Sequence, residues 1–399
     1  MPSLDLDALR DQLCASRPEV DLRGLEVVER ARCGDGRAST ADRVVVRLLF
    51  GPGQTGPASL PDRVVVKTIL LHPALRFGLP VILATARVNR ALARLPLVGG
   101  LAGPSVFALI AAYQRFFPHA PAAMYANESR FYAELRPELE IEAPRAYASC
   151  FHVHSGSFQI ALEDLRARGA EFPDARGGRT LAQMRSLVDN LARLHAPFWA
   201  SPRFSRDLAW VPTTRRGGMF PVFDAIGLDL IRDQLRRSAD KRALVAPLDR
   251  SLDSLWAATW RAQAELDRDP PTLCHGDAHT GNTYLIGARS GLLDWQLMVR
   301  GNWAHDLSYA LATGLSIADR RAHERTLIAE YLERLAELGV AAPPSFEHAW
   351  LRYRQGMVWG LVIGWLITPP QNYGVEITRA NISKIVTAMR DLETLAAIP

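Results

Sequence analysis

The chain has 399 residues, 48% of them hydrophobic and 22% charged, with a net charge of +5. That length buries a sizeable core and fits two lobes. A mild basic excess suits anionic ligands such as nucleotides, and the lack of any Lys/Arg run excludes a nucleic-acid footprint.

The four cysteines, Cys14, Cys33, Cys150 and Cys274, are widely spaced and form no C-x-x-C pair. They argue for free thiols in a reducing compartment and against a disulfide frame or a zinc site. The opening MPSLDLDALRDQL is acidic and amphipathic, without the basic start and apolar stretch of a signal peptide. The longest clean apolar run, Met357 to Ile367, is too short to span a bilayer. Together these features predict a cytoplasmic protein. No internal repeat or low-complexity tract is present.

In chain order, Leu4 to Leu13 predicts a short helix, and Leu25-Glu26-Val27-Val28 begins a strand. Arg32 to Ser39 contains Gly34 and Gly36, and Arg43 to Phe50 is again strand-like. Strand, glycine turn, strand is the pattern of a phosphate-covering loop, because glycine lets backbone N–H groups approach phosphate oxygens; an ordinary hairpin turn has the same pattern. After a Gly/Pro/Ser loop, Arg63-Val64-Val65-Val66-Lys67 reads as a strand ending in a lone lysine. Tyr125 to Leu135 has helical periodicity, with Tyr125, Glu128, Phe131, Tyr132 and Leu135 on one face. A glutamate on an apolar face is costly unless paired, so a Lys67–Glu128 ion pair is expected, with Glu134 as the fallback. The stretch from Leu71 to Ala123 is apolar with scattered arginines (Arg76, Arg87, Arg90, Arg94). It reads as packed helices, the alternative being a membrane-surface or partner role for Leu83 to Leu97.

Ile141 to Tyr147 and Phe158 to Leu162 predict strands, and Glu163-Asp164-Leu165 follows at the domain boundary. Leu181 to Trp199 predicts a helix that buries Leu187, Leu191, Leu194, His195 and Phe198, with His195 read as a packed, hydrogen-bonded core residue. Gly217 to Gly227 reads as loop, and Asp229–Ala246 and Leu248–Leu266 as helices. Further helices are expected near Leu307–Leu315, Asp319–Leu338, Phe346–Leu366 and Glu376–Ala396.

The chemistry concentrates in TLCHGDAHTGNTYLIGARSGLLDWQ, Thr272 to Gln296. Asp277 lies in a turn-rich loop, Asn282 precedes the apolar run Tyr284-Leu285-Ile286, and Asp294 ends the run Leu292-Leu293 after the turn-prone Gly287 to Gly291. Folding the two runs as a hairpin brings Asn282 and Asp294 to the same end, beside the Asp277 loop. One carboxylate is then placed to take a proton, while an amide oxygen and a second carboxylate suit Mg²⁺, a hard cation that prefers oxygen. An Asp, an Asn five positions on, and a strand-end Asp are the parts that phosphoryl transfer uses in kinases.

This segment resembles the aminoglycoside phosphotransferase and choline kinase-like superfamily, and most of all its ecdysteroid kinase-like branch. Glu128-Ser129-Arg130-Phe131-Tyr132 also resembles that branch's helix, and His195 matches the family. The resemblance implies an α+β, bilobal protein-kinase-like fold with a small β-rich N-terminal lobe and a large, mostly helical C-terminal lobe. Residues 1–165 would form the nucleotide-binding lobe, with an inserted helical segment at about 71–123, and 166–399 the catalytic and acceptor-binding lobe. It implies an ATP- and Mg²⁺-dependent kinase that phosphorylates a hydroxyl of a small molecule. Asp277 would be the catalytic base, and Asn282 and Asp294 the metal ligands. Lys67, held by Glu128, would grip phosphates under Gly34 and Gly36, and Glu163-Asp164-Leu165 would meet the adenine. Asp306 would open a helix and brace the catalytic loop.

No acidic cluster in the C-terminal helices suits a polycationic acceptor, whereas Trp350, Met357, Trp359 and Trp365 are candidates to line an apolar acceptor cleft or simply to fill the core. Two rival readings are a metal-dependent hydrolase using the His275, Asp277 and His279 cluster, and a non-catalytic nucleotide-binding protein with a kinase-like fold.

Overall fold

The computed structural model describes residues 4–15, 17–31, 41–51, 60–70, 122–152, 157–176 and 178–399. The expected glycine loop with Gly34 and Gly36 lies outside the described residues, as does the insert up to residue 121. The chain divides into two compact units, Met1–Glu138 with Ala143–Ala170, and Leu139–Glu142 with Glu171–Pro399.

The first unit is built on an antiparallel sheet of order β1-β2-β3-β5-β4. Its strands are β1 (Leu22–Ala31), β2 (Asp42–Phe50), β3 (Arg63–Leu70), β4 (Ala146–His152) and β5 (Ser157–Glu163). Valine-rich β2 and β3 follow from β-branched side chains suiting a pleated, half-buried surface. Their alternate residues Val44, Val46, Val64 and Val66 are buried with Leu9 and Leu13 of helix α1 (Leu6–Cys14), whose first turn is capped by Asp5. Each such fully buried side chain contributes roughly 1.5–3 kcal/mol relative to exposure. Lys67 points the other way, because strand side chains alternate. Directly opposite it is the buried Ile160 of β5.

Helix α2 (Ala122–Arg130) continues through a wide turn, Phe131–Leu135. It buries Tyr125, Glu128, Phe131, Tyr132 and Leu135, the face expected from the periodicity. Tyr125 packs on Phe158, and Ser129 bonds Ser149 of β4. One strand differs from expectation: β4 begins at Ala146, not Ile141. Residues Leu139–Glu142 belong to the second unit, where Asn190 brackets Glu142 by accepting its N–H and donating to its carbonyl.

The second unit is mostly helical: α3 (Leu181–His195), α4 (Leu228–Arg237), α5 (Ala239–Val245), α6 (Leu252–Leu266), α7 (Ala304–Gly314), α8 (Ile317–Glu337), α9 (Phe346–Trp359) and α10 (Val375–Asp391). Helix α3 starts at a reciprocal Thr180/Gln183 capping box, which satisfies two otherwise orphaned N–H groups. Every residue of α7 is buried, so this helix is the axis of the unit. The expected loop at Gly217–Gly227 is instead helical from Phe220, with Pro221 in the first turn, where its missing N–H costs nothing. The expected helix Asp229–Ala246 breaks at Ser238, which leaves helical geometry and caps α5 through its hydroxyl. Helix α9 runs on through a wide turn, Gly360–Leu366. Among the described residues no helix is long and apolar enough to cross a membrane.

Candidate functional site

Two short antiparallel pairs carry the site in the second unit: β6 (Thr272–Cys274) with β9 (Val299–Gly301), and β7 (Thr283–Ile286) with β8 (Arg289–Leu292). The β7–β8 turn is tighter than Gly287 to Gly291. Only Gly287 and Ala288 connect the strands, and Gly287 takes the left-handed φ of +57° such a turn requires. Thr283 pairs with Leu292, and the Leu293 N–H donates to the Asn282 carbonyl at 2.9 Å. Asn282 and Asp294 therefore sit at one end of the hairpin. Asp294 leaves the strand with φ +69° and ψ +78°, a left-handed conformation costly for a residue with a Cβ.

The loop between β6 and β7, which carries Asp277, is held from beneath. Asp306, on the first turn of α7, accepts the His275 N–H at 2.6 Å and the Gly276 N–H at 2.8 Å. Its Oδ2 also meets His195 Nε2 at 3.2 Å, and the Tyr331 hydroxyl meets His195 Nδ1 at 2.7 Å. Burial alone would raise the Asp306 carboxyl, but the His195 hydrogen bond and nearby imidazoles hold it below the usual range. His195 is thus the buried, hydrogen-bonded residue expected from the sequence.

The Asp277 side chain is 19% exposed. Asn282 Nδ2 donates to its Oδ2 at 2.9 Å and to its carbonyl at 3.0 Å. Burial, then the charge of Asp294, pushes the Asp277 carboxyl up to about 8; Asn282 opposes the shift and Asp306 adds to it. Two acids in one field destabilise each other's charge. A divalent cation on Asp294 would offset that repulsion, and with the Asn282 amide nitrogen turned to Asp277, its carbonyl Oδ1 is the atom that would be left to hold such a cation. The donor set is all oxygen and fits Mg²⁺.

The H-x-D-x-H cluster does not gather around one ion. His275 Nδ1 accepts the Asp277 N–H at 3.2 Å, so the proton is on Nε2, which donates to Leu293 O at 3.0 Å. His279 Nδ1 is taken by the Gly281 N–H. Among the described residues the one group with metal-ligand spacing is His195, Cys274 and Asp306. It is fully buried, and its His195–Asp306 bond belongs to the brace under the loop.

In the first unit, Lys67 Nζ donates to both Glu128 oxygens, at 2.9 and 2.8 Å, with both residues buried. Glu134 instead pairs with Arg130 on the outer face. Glu163 is buried and binds Arg168 and the Arg145 N–H, while Asp164 caps the turn at Leu165–Arg168. The acidic side chains of this segment are spent locally, and part of its backbone is too: the Glu163 N–H donates to the Arg145 carbonyl, and the Asp164 and Leu165 carbonyls accept from Ala167 and Ala170.

Several contributors escaped sequence reasoning. Arg179 is buried without a carboxylate partner among the described residues and donates to the hydroxyls of Thr283 and Ser290, one on each hairpin strand; burial pulls its guanidinium down to about 10. Tyr284 donates to Glu142 at 2.8 Å. Tyr373, on a single helical turn after α9, packs on His279 and Trp365 with centroids 5.5 and 5.1 Å apart. No periodicity announces that contact. Of the four candidates to line an apolar cleft, Trp365 lies 5.6 Å from the His279 ring and Trp359 packs on His305. Met357 is core, and Trp350 stacks between Phe346 and Tyr353 under Arg325.

The model of the ecdysteroid kinase-like family matches residues 114–340. No curated protein matches. Among solved structures, a choline kinase from Cryptosporidium parvum Iowa II superposes with a TM-score of 0.53 at 10% identity, covering 98% of each chain. A Plasmodium vivax ethanolamine kinase gives 0.46 at 12% identity, covering 96% of this chain and 88% of that one. An aminoglycoside phosphotransferase from Streptomyces rimosus gives 0.39 at 16%, covering 88% and 98%. The small antiparallel sheet and largely helical remainder make the fold protein-kinase-like. With more than half of its length matched, the chain belongs to the ecdysteroid kinase-like family, whose members are small-molecule phosphotransferases of the kinase type.

Proposed function

We propose that this chain transfers the γ-phosphoryl group of ATP, with Mg²⁺, to a hydroxyl of a small and largely apolar compound. The observation that carries this reading is the Asn282–Asp277 amide–carboxylate bond at 2.9 Å at the hairpin end that also presents Asp294. Asp277 takes the acceptor's proton and orients its oxygen. Asn282 and Asp294 hold Mg²⁺, which when bound neutralises phosphate charge. Lys67, fixed by Glu128, binds phosphate oxygens, and the Glu163-Asp164-Leu165 backbone meets the adenine.

The acceptor reading rests on the aromatic packing behind the Asp277 loop, of which Tyr373 is the half-buried member. His279, Tyr309, Trp365 and Tyr373 pack around the loop that bears Asp277, and half-buried Tyr373 lies within the fields of both Asp277 and Asp294. Rings beside a base favour an apolar hydroxylated ligand over a polycation.

A library of hydroxylated compounds with ATP and Mg²⁺, read by the mass gain of one phosphoryl group, tests the reading. Apolar alcohols should be modified, and Asp277→Asn should slow that transfer by about 10²- to 10⁴-fold. Transfer undiminished in the variant would refute the base, and phosphorylation of aminoglycosides alone would refute the acceptor class.

A further inference from the structure

His279 is buried to 2% exposure, three positions before Asn282. Its Nδ1 accepts the Gly281 N–H at 3.0 Å, and it thereby caps the short turn Thr280–Asn282. A neutral imidazole has one donor and one acceptor nitrogen, so the proton resides on Nε2. Burial keeps the ring neutral, pulling it down to about 3. Nε2 lies 3.7 Å from Asp277 Oδ2. The ring cannot swing away. Tyr309, Trp365 and Tyr373 surround it with centroids 5.5–5.6 Å off, and a Cβ on Gly281 would come within 2.6 Å of its Cε1.

Oδ2 of Asp277 therefore faces two donors, Asn282 Nδ2 at 2.9 Å and His279 Nε2–H at 3.7 Å. Oδ1 has no hydrogen-bond partner among the described residues. We propose that His279 is a positioning residue, whose Nε2–H, with Asn282, fixes Oδ2 of Asp277 so that Oδ1 takes the acceptor's proton. The inference rests on the kinase reading for its chemistry, not for its geometry. The acceptor O–H proton passes to Oδ1, the acceptor oxygen bonds to the γ-phosphorus, and the bond from that phosphorus to the bridging oxygen breaks to release ADP. The 3.7 Å separation lies just outside hydrogen-bond reach, and catalytic hydrogen bonds commonly tighten only with substrate in place.

The rival role, a mere cap for the Thr280–Asn282 turn, predicts differently for two substitutions. An asparagine places its amide oxygen near Nδ1 and keeps the cap, but has nothing at Nε2. A glutamine places an amide N–H near Nε2 and loses the cap. For ATP turnover with water as the acceptor, read as released phosphate, H279N should lower kcat about 10- to 100-fold with the ATP KM unchanged. H279Q should retain the larger share of kcat. Equal losses, or a better H279N, would overturn the proposal in favour of the cap.

A second measurement needs no turnover. In full-length protein labelled with ¹⁵N-histidine, His279 should show a protonated Nε2 and a bare Nδ1, and Asp277→Asn should shift the Nε2 resonance. A protonated Nδ1, or an Nε2 signal indifferent to Asp277→Asn, would sink it. If the wild-type chain releases no phosphate with water as the acceptor, the imidazole signals decide the contact alone, and the kinase reading stands or falls on the acceptor library.

Discussion

Asp306 accepts the Gly276 N–H at 2.8 Å across 30 positions of sequence, and this bond holds the loop that carries Asp277 to the start of α7. Gly276 adopts φ +82°, and a Cβ there would lie 1.9 Å from the Leu297 carbonyl oxygen. Gly276→Ala therefore meets both a left-handed conformation and a backbone clash. It should cost about 3 kcal/mol, measured by urea unfolding followed through tryptophan emission. An unchanged midpoint would show that the loop yields without strain.

The Lys67–Glu128 pair predicts a non-additive result. Both side chains are almost fully buried and hydrogen-bonded to each other, so removing one takes from the other its paired opposite charge, at a cost of roughly 3–5 kcal/mol. Lys67→Met should destabilise the first unit by about that much, and adding Glu128→Leu should restore most of it. All nine tryptophans lie at Trp199 or beyond, so their emission reports the second unit. Hydrogen exchange in β3 and β5 is the readout for the first. Additive losses in the double variant would mean that the charges are not mutually dependent.

How far the sequence could be read follows from how local each signal is. The hairpin was legible because two apolar runs around a glycine leave one register that puts Asn282 beside Leu293. The Lys67–Glu128 pair was legible because a glutamate on an apolar helix face demands a cation. Asp306 under the loop came from the family resemblance and not from spacing alone. What stayed hidden depends on three-dimensional neighbours. Arg179 reads as an ordinary surface arginine until its bonds to Thr283 and Ser290 are seen. Tyr373 follows two prolines, where no helical period exists to aim it at His279. Strand β4 starts later than the sequence predicts because Ile141 and Ala143 are buried in a bend and loop rather than in a strand, and composition does not distinguish the two.

Asp269 carries a pH prediction. It sits between α6 and β6 and accepts two bonds from Arg352, at 2.8 and 2.9 Å, one from His348 at 2.8 Å and one from Asn302 at 3.0 Å. Burial pushes its carboxyl up, but the Arg352 and His348 bonds outweigh this and hold it below the usual range. A folded pKa below the unfolded value, about 3.9, gives stability that is complete above that value and fades as pH falls through the folded one. The difference in unfolding free energy between wild type and Asp269→Asn should be full at pH 5 and shrink below about pH 4. A difference that holds constant down to pH 2.5 would contradict the ionised pairing.

Lys241 links the stability of the second unit to the aromatic wall. Its ammonium is buried and donates to the carbonyls of Trp365, Leu366 and Thr368, at 2.9, 3.1 and 2.6 Å. Those carbonyls lie at the end of the wide turn Gly360–Leu366 and just beyond it, where the helix can no longer satisfy them itself. Lys241→Met fills similar volume and leaves three acceptors without their donor, each worth about 1 kcal/mol. A loss of roughly 2–3 kcal/mol is expected in urea unfolding. Because Trp365 also packs on His279, loosening this turn should raise the KM for an apolar acceptor more than that for ATP. A variant with the expected stability loss and unchanged acceptor KM would detach Trp365 from acceptor binding, and one with no stability loss would show that water replaces the ammonium at no cost.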